Sequence, residues 1–218
     1  MKKFFYLLTC LLAAACQPNQ PAEQAAETSN TTTTEPAVNQ AVMDLFEEVN
    51  VVKMHLFATQ EADPEGETYP YAGKQFGEDV LPFLPEGVQP NESGGVFACY
   101  HVENNDFFIL RVPGQEVASD LMLCKWDGSA GKLKKIASLA SYRCEGESCQ
   151  QQDAWLTDLD DDRSLELITR EAKLDTKGKI LEEKFTVLSQ DATGNFIPSN
   201  DQITALAIKD NYVLQQIK

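Results

Sequence analysis

The chain has 218 residues, 34 acidic against 18 basic, for a formal net charge of −16, and 43 % of its residues are hydrophobic. That charge argues against binding nucleic acid or an anionic lipid surface, since both are gripped by basic patches. It is compatible with a metal, with a cationic partner, or with solubility alone.

Lys2 and Lys3 open the chain ahead of an apolar run from Phe4 to Leu12, followed by Ala13, Ala14, Ala15 and Cys16. The run is too short for a membrane span of about 20 residues. Its order of positive charge, apolar stretch and small residues is that of a secretory signal peptide. The small residues before Cys16 resemble the lipobox of bacterial lipoproteins. The resemblance implies that residues 1–15 are removed and that Cys16 becomes the lipidated first residue, carrying palmitate-type chains. Family members usually have Leu three residues before the cysteine, where this chain has Ala13 with Leu12 one step earlier. Cys10 is a rival that would leave only a stub of apolar run, and Thr9 before it is larger than cleavage prefers. An ordinary signal peptide with a chance cysteine is the plain alternative. One acyl chain binds marginally at about 0.8 kcal/mol per buried methylene, and two or three hold firmly. Gln17 resembles the sorting pattern for the outer membrane in a Gram-negative host. Loss of Lys2 and Lys3 takes the net charge from −16 to −18.

Residues 16–40 read as the lipidated cysteine and a disordered tether. After Cys16 they contain no aromatic residue, and Val38 is the one branched apolar side chain. Such a segment cannot bury enough surface to offset its ordering entropy. Residues 41–218 are the length of a single domain with its own core.

Within that domain Val42, Leu45, Phe46 and Val49 recur at helical spacing and predict a short amphipathic helix over residues 41–50. A strand is predicted over 51–58, an acidic loop rich in Pro and Gly over 61–73, and a weak helix or turn over 78–84, cut by Pro82 and Pro85. Residues 96–102, 107–112, 120–126 and 133–142 are β-rich runs separated by turn signals, at the spacing of an antiparallel meander. Further strands are expected at 154–157, 165–172 and 180–189; residues 203–217 suit a helix followed by a strand. The expected fold is mainly β with a few short helices, an antiparallel meander that is propeller-blade-like or a sandwich, with too little chain to close a propeller. The run Phe107, Phe108, Ile109, Leu110 is apolar on both faces and implies a strand covered on both sides.

An exported chain meets an oxidising compartment, so four cysteines are disulfide candidates. Cys144 and Cys149 enclose Glu-Gly-Glu-Ser, whose glycine allows a tight turn, and closing that loop is worth roughly 2 kcal/mol. Cys99 and Cys124 lie in apolar strand runs, and either pair with each other or remain two buried thiols.

The line richest in chemistry runs from Asp153 to Ile168. Asp158, Asp160 and Asp162 alternate, and Glu166 stands ninth counted from Asp158. Calcium takes six to eight oxygen ligands. Three aspartates, the Ser164 carbonyl and Glu166 form a candidate set for Ca2+. Carboxylates about 5 Å apart repel by roughly 3 kcal/mol at an effective dielectric of 20, so a packed loop needs a cation, while a solvated one is only an acidic turn. The spacing resembles EF-hand loops and, more closely, the calcium loops of FG-GAP and VCBS-type β repeats, in which an acid at position nine leads into an apolar strand. The likeness covers ten to fifteen residues. Arg163 departs from it, because the sixth position usually holds Gly in a backbone of positive φ.

No nucleophile elbow, zinc-binding helix or phosphate loop is present. His55 and His101 sit in apolar strands, where a satisfied structural histidine is the ordinary outcome. Trp126 and Trp155 have the chemistry to stack on sugars, although a core position is the default for tryptophan. The expectation is therefore a lipid-anchored envelope protein, a non-catalytic binding or structural module for a protein or glycan partner. The alternatives are a hydrolase of envelope or extracellular polysaccharide, and an acidic inhibitor of a cationic enzyme such as lysozyme.

Overall fold

In the computed structural model, residues 39–58, 71–90, 95–114, 119–159 and 163–199 are described. Cys16, the leader and tether, most of the 61–73 loop and the 203–217 tail lie outside them. The described strands are, in chain order, β1 (Glu47–Val49), β2 (Lys53–Phe57), β3 (Lys74–Gln75), β4 (Phe97–Val102), β5 (Phe107–Val112) and β6 (Asp120–Asp127), then β7 (Lys132–Glu145), β8 (Ser148–Thr157), β9 (Glu166–Asp175), β10 (Ile180–Gln190) and β11 (Phe196–Pro198). One helix, α1 (Gln40–Met43), and a 3-10 turn at Leu81–Phe83 carrying Pro82 lie among them.

From β4 to β11 each strand pairs antiparallel with the next, which is the predicted meander. The sheet is mixed, because β1 runs parallel to β4, and it is open rather than closed into a barrel. The turns expected from the sequence close on their own acids: Asp127 accepts from the Ser129 and Ala130 amides, and Asp175 from those of Lys177 and Lys179. Such local bonds favour a turn over a continued strand.

β7 is the corner. Its residues 132–140 pair with β6 and its residues 141–145 with β8. Beyond that point β8 exchanges its neighbour, and Asp153 to Thr157 pair with β2. A strand that changes partners along its length lets a sheet fold over itself. The two halves share one core, in which Phe107, Ile109, Leu121 and Leu123 meet Leu56, Ala154, Leu156 and Leu167. The opposite face of β5 and β6 carries Phe108, Leu110, Met122 and Cys124 into a second cluster, roofed by Val42, Phe46, Phe76, Val80 and Leu84. β5 is thus buried on both sides, as its apolar run implies, and each such side chain contributes about 1.5–3 kcal/mol.

The predicted helix over 41–50 is a single turn. Asn39 caps it by accepting from the Ala41 amide at 2.9 Å, and the chain then extends into β1. The reason lies in packing: Val42 and Phe46 enter the second cluster while Val49 packs on the first, so one helical face cannot serve both. Gly73, at φ 61° just before β3, permits the close approach of its chain to β4, since a Cβ there would lie 2.5 Å from the Ala98 carbonyl oxygen.

Candidate functional site

The acidic loop joins β8 to β9. Trp155 and Leu156 fix its entry and Leu165 and Leu167 its exit, all buried. Asp160 and Asp162, two of the candidate ligands, lie outside the described residues; Asp158, Ser164 and Glu166 are described. One carboxylate oxygen of Asp158, Oδ2, accepts from the Arg163 amide at 3.0 Å. The other, Oδ1, is buried and has no hydrogen-bond partner among the described residues. Arg163 has φ 75°, the left-handed geometry expected of the sixth position, held here by a residue with a Cβ. Glu166 is turned inward, and its Oε2 accepts from the Leu159 amide at 2.8 Å. These bonds draw positions one, two, six and nine of the loop together. Among the described residues, no three acidic, histidine or cysteine side chains converge as metal ligands.

Beside the loop lies a cavity of about 560 Å3 lined by Asn50, Val51, Val52, Asn105, Asp158, Arg163 and Leu165. Two amide residues, a carboxylate and a guanidinium over an apolar floor make a polar mouth at one end of the sheet.

Of the four cysteines, Cys144 and Cys149 form a disulfide across the β7–β8 hairpin, with Cα atoms 4.0 Å apart and Gly146 at φ 60° in the turn between them. Cys99 and Cys124 are free and buried, which corrects the pairing alternative for them. β5 runs between their strands, two inter-strand steps of about 4.8 Å, beyond the reach of a disulfide. They also face opposite sides: Cys99 belongs to the core between the two halves and Cys124 to the roofed cluster. Burial pushes the Cys99 thiol up to about 12 and raises that of Cys124 further, so both are inert as nucleophiles.

Trp155 is 1 % exposed and lies under the His55 ring. Trp126 is half-buried and packs against Phe83, and its indole nitrogen has no hydrogen-bond partner among the described residues. Trp155 offers no open face to a sugar. The histidines depart from the satisfied core type. Among the described residues His55 Nε2 and both nitrogens of His101 lack hydrogen-bond partners, although His101 Nε2 lies 3.7 Å from Asp106 Oδ1, and the rings lie flat on Trp155 and Phe108.

A polar cluster missed in the sequence sits on the outer face of β8, β9 and β10. Arg170, 1 % exposed, donates from Nη1 to Asp153 Oδ2 at 3.1 Å and from Nε to Glu183 Oε2 at 3.3 Å. Gln151 Nε2 lies 3.1 Å from both Asp153 oxygens. Burial raises the Asp153 carboxyl against the lowering effect of the Gln151 and Arg170 bonds. A usable signal was present: Arg170 lies between Ile168 and Ala172 at strand period, a charge flanked by apolar residues on its face.

No protein-family model, no curated protein and no solved structure matches the chain.

Proposed function

We propose that the chain is an exported lipoprotein, held in the cell envelope by lipid on Cys16. Its β body acts as a non-catalytic binding or structural module. The Cys144–Cys149 bridge carries this reading. A disulfide at the tip of an exposed hairpin persists in an oxidising compartment and is reduced in the cytosol. It agrees in chemistry with the signal-type leader at the start of the chain. Replacing Cys16 by Ser tests the anchor: the chain leaves the membrane fraction and collects in the soluble exported fraction, whereas unchanged membrane retention contradicts the reading.

Calcium is the cofactor of this reading, held by Asp158, Asp160, Asp162, Glu166 and the Ser164 carbonyl. The support is the buried, unpartnered Oδ1 of Asp158 together with the left-handed turn at Arg163. A buried carboxylate oxygen without a donor is costly, and a hard cation satisfies it. Calcium stabilises a protein that binds it only when folded, by mass action. The melting temperature rises on adding calcium after EDTA treatment; an unmoved transition contradicts a calcium site.

A further inference from the structure

We infer that the Cys144–Cys149 bridge is a thiol-exchange site, at which a cationic thiol joins Cys144 and releases Cys149. The two cysteines are direct partners in the β7–β8 ladder, with Arg143 opposite Gln150 on one side of them and Glu145 opposite Ser148 on the other. Those pairs, the turn at Gly146 and the pairing of β8 with β9 from Ser148 to Thr157 hold the hairpin independently of the bridge. Exchange therefore needs no unfolding. The two sulfurs differ in access: Cys144 is exposed, whereas Cys149 is 5 % exposed. A thiolate displaces sulfur in line, approaching from the side opposite the leaving sulfur. For attack on Cys149 that side belongs to β9, where its partner Leu174 is buried beside it. For attack on Cys144 it is the exposed side of β7.

The incoming thiolate gives an electron pair to Cys144 Sγ. The bond to Cys149 breaks, and Cys149 leaves with the electrons of that bond. It then takes up the proton that the incoming thiol lost. One disulfide replaces another, so the step consumes no oxidant or reductant besides the thiol itself. Charge selects the thiol. Glu145 and Glu147 are both exposed beside Cys144, and the neighbouring cation, Arg143, is held by the Asp120 carboxylate. The local field is negative and favours a thiol that carries an ammonium over one that carries an anionic group. The chemistry lies in the bridge and needs neither the lipid anchor nor calcium.

The test uses the full chain in detergent and peptide masses as the readout. C149S and C144S are each treated with cystamine, folded and in urea. Cys144 in folded C149S forms its mixed disulfide within about threefold of the unfolded rate, and Cys149 in folded C144S at less than about a tenth of it. A second measurement needs no cysteine variant. At low ionic strength cysteamine opens the bridge of the folded wild-type chain about tenfold faster, per thiolate, than 2-mercaptoethanesulfonate does. E145Q/E147Q brings the two rates within about twofold. A folded bridge that neither thiol opens overturns the inference, and so does equal protection of the two sulfurs. A wild-type chain without preference, or a preference that survives in E145Q/E147Q, overturns the assignment of a cationic thiol.

Discussion

His55 lies flat on Trp155, ring centroids 4.4 Å apart and planes 5° from parallel, with its Nε2 buried and unpartnered. Burial, then the charges of Arg170 and Lys53, hold its pKa down to about 4. Below pH 6.5 the unfolded chain takes up a proton at this residue, while the folded chain refuses it until about pH 4. The contribution of His55 to stability is thus complete above 6.5, falls as the pH drops towards 4, and then levels off. Urea titrations at successive pH values check it. H55F keeps the stack and flattens this part of the profile; a profile identical to wild type contradicts the assignment.

Arg170 and Asp153 neutralise each other in a site nearly closed to water. Removing Arg170 leaves the Asp153 carboxylate buried without a counter-charge, which typically costs about 3–5 kcal/mol, whereas removing Asp153 leaves Arg170 its bond to Glu183. R170M is expected to lose stability on this scale and D153A less. The double variant D153A/R170M is expected to lose less than the sum of the singles, as denaturant midpoints will report.

The cysteines divide into two classes. In the native, unreduced chain neither Cys99 nor Cys124 reacts with iodoacetamide, and both react once the protein is unfolded, as peptide masses show. Replacing Cys144 and Cys149 together by Ser lowers stability by about 2 kcal/mol, the entropy released by opening a short loop.

Arg163 occupies a left-handed backbone at φ 75°. R163G relieves strain of about 1 kcal/mol, partly offset by the greater freedom glycine gives the unfolded chain. It also removes a cation from the loop. The variant is expected to melt no lower than wild type in EDTA and to show a larger calcium-induced rise.

Strands β4 to β7, β9 and β10 were legible because their apolar residues follow the strand period and their turns carry Gly, Asn or Asp. The N-terminal half of β8 was not, since Gln150, Gln151 and Gln152 give no apolar signal; that half is set by the hairpin that the disulfide closes. β1 was hidden in a helical pattern whose residues serve two separate cores. The orientation of Cys99 depends on a register shift between Ala98 and Tyr100 that turns it away from the face of Cys124, and nothing local in the sequence encodes such a bulge. In the acidic loop, the inward turn of Glu166 to the Leu159 amide follows from the register of β8 against β9, a long-range fact. The Asp153–Arg170 pair was visible only as two charges at strand period, whose meeting required that same register.

The most direct test of the central claim is the intact mass and N-terminal peptide mass of the chain taken from native membranes. The account predicts a mature chain that begins at Cys16 with acyl groups on its sulfur and has Cys144 joined to Cys149. A chain that retains Met1, with the thiol of Cys16 unmodified, contradicts it.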